Sequence, residues 1–187
     1  MLKDRIDALK LLLKDDNEQV RHAASHAIEA ISIRNELDKF GEALSSEDIL
    51  ARSRAVFGLA DFDDQKALEY LAMATADREA SIRAHAVRIL GEKKAVKYIE
   101  VIAKRISDPE TTVRIEAIRA IGNMGNISYL AHLLQLLKDT NNSIVVATIS
   151  AIGSLKDPRA EKPLIVLLSH PAAEIRSASA AALAELQ

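Results

Sequence analysis

The sequence of 187 residues contains neither cysteine nor tryptophan, and only 3% of its residues are aromatic. Without cysteine the chain has no disulfides, no thiolate nucleophile and no Cys-ligated metal, which favours an intracellular, cytoplasmic protein. No apolar run approaches the roughly 18 residues of a membrane span, and the charged start does not suit a signal peptide. The shortage of aromatic residues beside abundant Ala and Leu argues against a strand-rich fold.

The sequence repeats itself every 31 residues, and this period is its main signal. One column holds Arg21, Arg52, Arg83, Arg114 and Arg176, with Val145 as the exception; another reads Asp15, Ser46, Asp77, Asp108, Asp139 and His170. We therefore expect one repeat domain over residues 1–187, with repeats at about 3–33, 34–64, 65–95, 96–126, 127–157 and 158–187.

Apolar residues recur at helical spacing twice within each unit, which predicts a helical hairpin. The Asp or Ser between the two helices can cap the second one, and Pro109 and Pro171 suit its first position. Chain reversal is expected near the glycine column of Gly91, Gly122 and Gly153, with Gly125 just beyond it in repeat 4. The predicted first helices cover about 3–14, 35–45, 65–75, 95–106, 127–138 and 160–168, and the second about 16–31, 47–60, 78–91, 109–124, 140–153 and 171–186.

A hairpin this short cannot bury its apolar stripe alone, so neighbouring hairpins must stack around a shared core. The sequence therefore predicts an all-α protein, an α-solenoid of six hairpins. A role that recurs in every repeat belongs to stacking, so we interpret the Asp and Arg columns as structural.

The repeat resembles the HEAT repeats, and more narrowly the short HEAT-like repeats of phycobilisome lyases, over nearly the whole chain. Residues 108–114 and 155–165 carry the resemblance best. It implies a right-handed superhelix with its second helices on the concave side, and a ladder of ion pairs and caps formed by the Asp and Arg columns. It also implies a scaffold or adaptor, since enzymes are a minority among such proteins.

Residues that serve a specific function, and so differ between repeats, are expected at second-helix positions that point away from the core. By resemblance these positions line the concave groove. The central part forms a cationic stripe with one aromatic, beside two apolar side chains. The candidate partner-binding residues are Arg54, Phe57, His85, Arg88, Ile115, Arg119 and Val146, with His22 and His26 further towards the first repeat. Arg and aromatic side chains often dominate binding energy, so this surface predicts a protein partner.

The expected partner carries acidic and apolar residues, because residues 78–119 hold 10 basic and 6 acidic side chains. One alternative is binding of a nucleic-acid backbone in the cationic groove, although the acidic residues 1–77 and the single groove aromatic argue against it. A chromophore lyase, or its accessory subunit, is another. We expect a non-catalytic protein without a cofactor.

A metal site is not expected. His22 and His26 have the four-residue spacing of two ligands on one helical face, but the residue after His22 is Ala23 rather than the glutamate of a zincin. His85 lies two repeats further on, too far to complete such a site.

Overall fold

The computed structural model describes residues 2–186, within which the regular structure is helical and contains no strand. The all-α prediction is confirmed. The helices are α1 (Leu2–Leu12), α2 (Glu18–Ala43), α3 (Ile49–Leu59), α4 (Gln65–Ala74), α5 (Ala80–Glu92), α6 (Ile99–Ala103), α7 (Thr111–Met124), α8 (Leu130–Leu136), α9 (Asn142–Leu155), α10 (Glu161–Leu167) and α11 (Ala173–Glu185). Short 3-10 turns at Val96–Tyr98, Lys104–Ser107, Ile127–Tyr129 and Pro158–Ala160 flank α6, α8 and α10.

Two compact units divide the chain, unit 1 over residues 1–55 and unit 2 over residues 56–187. The boundary falls within α3. Met1 and Gln187, the ends of the predicted domain, lie outside the described residues. We keep the predicted repeat numbers as labels below.

In unit 1, α1 packs on α2, and α2 differs from the sequence prediction. It runs unbroken through residues 32–34, where the sequence predicted a turn between repeats 1 and 2. The residues before Asn35 include neither Gly nor Pro, so nothing in the local sequence stops the helix. One 26-residue helix therefore replaces two predicted ones.

Unit 2 is regular and follows the predicted hairpins. The first helices α4, α6, α8 and α10 each pack on the second helix that follows, respectively α5, α7, α9 and α11. The second helices also pack side by side in chain order from α5 to α11. The first helices form one layer of unit 2 and the second helices form the other. The core lies between the two layers, and its fully buried side chains include Ile82, Ile102, Ile121, Leu133 and Ile152.

Glycines make the close approach of the second helices possible. A Cβ on Gly91 would lie 2.6 Å from Cβ of Ala120, and one on Gly122 would lie 2.7 Å from Cα of Ala151. Gly153 is less tight, with 3.1 Å to Cβ of Ala182. The chain does not reverse at this column, because all three glycines lie buried inside helices. In repeat 4 it reverses at Gly125, as predicted.

Chain reversal falls instead on the column three residues later, formed by Lys94, Gly125 and Lys156. All three have a positive φ, of 49°, 66° and 54° respectively. The amide of Lys94 donates to the carbonyl of Gly91, and that of Lys156 donates to the carbonyl of Gly153. These left-handed residues end the second helices, as glycine usually does.

The Asp column shapes the turn before each second helix. In every repeat its side chain accepts a hydrogen bond from the backbone amide two residues later, at 2.7–3.1 Å, including Ser46 and His170 where Asp is replaced. Helices α7 and α11 begin at Thr111 and Ala173. Pro109 and Pro171 therefore lie in the turn, not at the first helical position as predicted.

The Arg column stabilises the same turn through hydrogen bonds to its backbone carbonyls. Nη1 of Arg21, Arg52, Arg83, Arg114 and Arg176 donates to the two backbone carbonyls that lie six and five residues earlier. This bond lies within a repeat, whereas the resemblance implied bonds between repeats.

Arg83 also forms an ion pair between repeats, of the kind that the resemblance implied. Its Nε and Nη2 donate to both carboxylate oxygens of Asp108 at 2.9 and 2.8 Å, and both residues are buried. Burial by itself would raise the pKa of Asp108, but the hydrogen bonds from Arg83 and from the Glu110 amide lower it below its ordinary value.

Candidate functional site

Six predicted partner-binding residues lie on successive second helices of unit 2, and all six are accessible. Phe57 lies on α3, His85 and Arg88 on α5, Ile115 and Arg119 on α7, and Val146 on α9. Phe57 is 46% exposed, Arg119 is exposed, and the others are half-buried. We call these six residues the second-helix surface.

The aromatic ring of Phe57 is held by its neighbour. Its centroid lies 4.7 Å from that of the His85 imidazole, and the planes are tilted by 56°. This distance falls in the range of favourable aromatic pairs. The contact joins α3 to α5 and leaves nearly half of the Phe57 side chain exposed to solvent.

The predicted cationic stripe is wrong as a description of charge. Arg88 Nη1 donates to Glu92 Oε1 at 2.6 Å, and Arg119 Nη1 donates to Glu116 Oε1 at 2.9 Å. Each pair lies within one helix, at spacings of four and three residues, which the sequence alone could have indicated. The four side chains line one shallow depression of about 210 Å³ with Ala120 and Asn123. This part of the surface therefore carries both signs of charge.

The other three predicted residues lie in unit 1. Arg54 is exposed on α3, and His22 and His26 are exposed on α2. Across residues 2–186, no cluster of three or more His, Asp or Glu side chains is arranged to hold a metal ion.

A cavity that the sequence analysis did not predict lies in unit 2, between the first helices of repeats 4 and 5. It measures about 650 Å³ and lies between α6 with the turn after it and α8 with the turn before it. Tyr129 Oη donates to Glu100 Oε1 at 2.7 Å across the repeat boundary, and the ring of His132 lies 5.8 Å from that of Tyr129. Burial, followed by the hydrogen bond to Glu100, raises the pKa of Tyr129 to about 12.

Signals for this cavity were weak in the sequence. Tyr98 and Tyr129 are 31 residues apart, but a tyrosine in a repeat column reads as core packing. In the structure, Lys104–Ser107 and Ile127–Tyr129 are short 3-10 turns, and residues of both turns line the cavity.

Helical hairpins whose second helices pack side by side define an α-solenoid repeat protein. The family model described as HEAT repeats matches residues 6–83 and 72–152. The chain belongs to the HEAT repeat family. The fold of such scaffolds supports a protein-interaction role, and repeat solenoids are typically non-catalytic.

Solved structures share this fold at low sequence identity. A chain from the complex of CpcE and CpcF of phycocyanin lyase from Nostoc sp. PCC7120 is similar with a TM-score of 0.71 and 20% identity, over 81% of this chain and 65% of that chain. The present chain thus spans less than two thirds of the lyase chain. The E. coli protein YIBA gives a TM-score of 0.66 at 22% identity, over 97% of this chain and 72% of its own.

A designed armadillo repeat protein in complex with the peptide (KR)4 is also similar, with a TM-score of 0.64 and 18% identity, over 100% of this chain and 99% of that chain. No curated protein matches the chain.

Among residues 2–186 there is no helix whose length and apolar content would let it cross a membrane.

Proposed function

We propose that the chain is a non-catalytic scaffold that binds a protein partner through the second-helix surface. The exposed aromatic ring of Phe57, oriented by His85, is the observation that carries this proposal. A large side chain that is already positioned loses little conformational entropy on binding. Aromatic and Arg side chains are also the commonest sources of binding energy at protein interfaces.

The charges beside Phe57 indicate the kind of partner. Arg88 and Arg119 each have a glutamate neighbour, so a partner carboxylate must compete with Glu92 or Glu116 for the guanidinium. We infer a partner segment that places an apolar side chain on Phe57 and an acidic side chain near Arg119, whose side chain is the more exposed of the two arginines. Charge then contributes to register more than to encounter.

The designed armadillo protein supports a peptide as the partner's form, since that protein of similar fold forms a complex with the peptide (KR)4. Its peptide is basic, so the likeness does not bear on the acidic side chain inferred here. The glutamates beside Arg88 and Arg119 weaken the alternative of a nucleic-acid backbone, because phosphate would meet carboxylates in the same depression.

Selection of peptides from a displayed library against the full chain tests the proposal. For the selected peptides, Phe57→Ala should weaken binding about tenfold or more, the size expected for a central aromatic anchor. Arg119→Ala should weaken binding of the acidic peptides in particular.

Met73→Ala provides the matched control, because Met73 is an exposed apolar residue of the first layer, on α4. Its affinity should stay near that of the unchanged chain. Thermal unfolding should show that all variants are folded. If the peptides then bind the Phe57→Ala and Arg119→Ala variants with the same affinity as the unchanged chain, the second-helix surface is not the binding site.

A further inference from the structure

The cavity between α6 and α8 is lined by a glutamate and a tyrosine that also occur together at the preceding repeat boundary. Glu69 and Glu100 share one column of the 31-residue period, and Tyr98 and Tyr129 share another. Gln65 Nε2 donates to Glu69 Oε1 at 3.0 Å and to Tyr98 Oη at 2.6 Å, so the first pair lies close together. Tyr129 Oη donates directly to Glu100 Oε1. Each boundary therefore places a carboxylate beside an aromatic side chain.

A lysine accompanies this pair at the boundary of repeats 3 and 4. Lys97 Nζ lies 3.7 Å from Glu69 Oε1 and 5.5 Å from the centroid of the Tyr98 ring. A carboxylate attracts an ammonium by its charge, and the face of an aromatic ring attracts it through its quadrupole. The glutamate and tyrosine thus form a place for an ammonium, and at this boundary the chain supplies that ammonium itself.

The same pair has no lysine at the boundary of repeats 4 and 5. The residue that follows Lys97 in its column is Ser128, which lines the cavity of about 650 Å³. Glu100 accepts the bond from Tyr129 and forms no ion pair within the described range 2–186. Burial, followed by this bond, raises the pKa of Tyr129 to about 12, so the phenol keeps its proton and leaves the charge of Glu100 uncompensated.

The other walls suit the apolar part of an organic cation. His132 takes the place of Val101 in the preceding repeat, and its ring lies 5.8 Å from that of Tyr129, which adds a second aromatic surface. Apolar side chains also line the cavity, namely Ala103, Ile106 and Leu136. The volume lies within the range of small-molecule sites, so the cavity has room for more than an ammonium alone.

We propose that this cavity binds an organic ammonium ion, whose ammonium lies between Glu100 and Tyr129 and whose apolar chain lies against the remaining walls. The ligand supplies the group that Lys97 supplies at the preceding boundary. Its chemistry is that of a primary amine on an apolar chain, carried by a small molecule or by a lysine side chain of another protein. The site belongs to the first layer and does not depend on the second-helix surface.

Lys104 opposes this ligand and restricts its charge. It is exposed and lines the same cavity, where repeat 3 has Met73 in its column. Its ammonium disfavours a second positive charge, so the ligand carries one ammonium rather than several. Lys104→Met should therefore tighten binding, by up to about fivefold, the upper range for exposed charge pairs.

A titration of the isotope-labelled full chain, followed by NMR, tests the site with pentylammonium chloride as the probe. The resonances of Ser128, Tyr129 and His132 should shift saturably, with a dissociation constant on the order of 1 to 10 mM for so small a ligand. Two ligands of the same chain length are the controls, namely uncharged n-pentanol and anionic hexanoate. Both should bind about tenfold more weakly or not at all, because they lack the charge that Glu100 attracts.

Two substitutions change the place of the ammonium itself. Glu100→Gln keeps an oxygen that accepts from Tyr129 but removes the charge, and should raise the dissociation constant about tenfold. Ser128→Lys supplies an internal ammonium, as Lys97 does, and should abolish binding. Ile127→Lys adds the same charge at an exposed neighbour outside the cavity wall, and should bind as the unchanged chain does. Circular dichroism checks that each variant is folded.

A second arm of the titration distinguishes the two sources of the amine. Nα-acetyl-lysine N-methylamide presents a lysine side chain as a protein does. If it binds at least as tightly as pentylammonium, the ligand is a lysine side chain; if it binds more weakly, the ligand is a small amine.

Three results would overturn the proposal. One is the absence of any saturable shift, and another is equal affinity for pentylammonium and n-pentanol. The third is a folded Glu100→Gln or Ser128→Lys variant that binds pentylammonium as tightly as the unchanged chain. If Ser128→Lys does not fold, the comparison of Glu100→Gln with the unchanged chain decides.

Discussion

Unit 1 and unit 2 carry the same apolar columns but bury them to different extents. Helix α1 contributes no buried residue among those described, and the 26 residues of α2 contribute only Ala24 and Leu37. Helix α9 buries nine of its 14 residues. The periodic pattern specifies which side chains can be buried, whereas burial itself requires a neighbouring helix at close range. In unit 2 the glycine column permits that approach.

Breaking the buried ion pair of unit 2 should give one of the two largest effects. Asp108→Ala leaves the Arg83 guanidinium buried without its carboxylate partner, so we expect a loss of about 3 kcal/mol in the free energy of unfolding. Asp15→Ala, in the same column of unit 1, removes a hydrogen bond from the Asn17 amide and should cost about 1 kcal/mol. Urea unfolding followed by circular dichroism measures both. Equal losses would remove this contrast between the units.

The same pair predicts a pH dependence. Because the pKa of Asp108 in the folded chain lies below the unfolded value of about 3.9, its stabilisation is present above that pH and is lost as the pH falls through the folded value. Unfolding free energy measured from pH 6 down to about pH 2 should therefore fall less steeply for Asp108→Asn than for the unchanged chain. Parallel curves would contradict the assignment.

A core truncation compares the two units at one column. Leu133→Ala in unit 2 removes a fully buried side chain and should cost about 2 to 5 kcal/mol, including the cavity it leaves. Leu9→Ala removes a half-buried one and should cost about 1 kcal/mol. Urea unfolding of the two variants measures the difference. An equal or larger loss at Leu9 would contradict this difference between the units.

Glycine substitutions sharpen the comparison further. Ala is the better helix former by about 1 kcal/mol, yet Gly122→Ala should destabilise by about 1 to 3 kcal/mol because its Cβ meets Cα of Ala151. Gly153→Ala has more room and should cost less. Thermal unfolding of the two variants ranks them. Stabilisation by Gly122→Ala would show that the helices shift apart without loss.

The smallest expected effect is a gain. Lys156→Gly relieves a left-handed backbone conformation and should stabilise the chain by about 1 kcal/mol. Lys138→Gly, in the turn after α8, relieves no such conformation and should destabilise by about 0.5 kcal/mol through added freedom of the unfolded chain. The two melting temperatures should therefore move in opposite directions. Movement in the same direction would exclude backbone strain at Lys156.

The repeating columns were sufficient to predict the helical hairpins of unit 2 and a structural role for the Asp and Arg columns. They were wrong in making the Asp column the cap of the second helix, because α2 is capped by Asn17 and α9 by Asn141. They failed at α2, because the prediction of a turn rested on the period while the local sequence held no helix-stopping residue. They also misassigned Gly122, since a glycine near a helix end can serve a turn or a close contact, and only the distance to Ala151 distinguishes the two.

For the candidate site, helical geometry predicted which residues face outward, and Phe57 and Arg119 are exposed. It did not predict the pairing of Arg88 with Glu92, because each residue was assessed by its column rather than against neighbours on its own helix. The role of the second-helix surface in binding stays a prediction.

The unbroken α2 has a consequence for how unit 1 opens. Its 26 residues extend over about 39 Å, and they belong to two predicted repeats. In an ordinary repeat array, each hairpin can fray while its neighbours stay folded. One continuous helix removes that independence, so the amide hydrogens of α2 should exchange as one cooperative block.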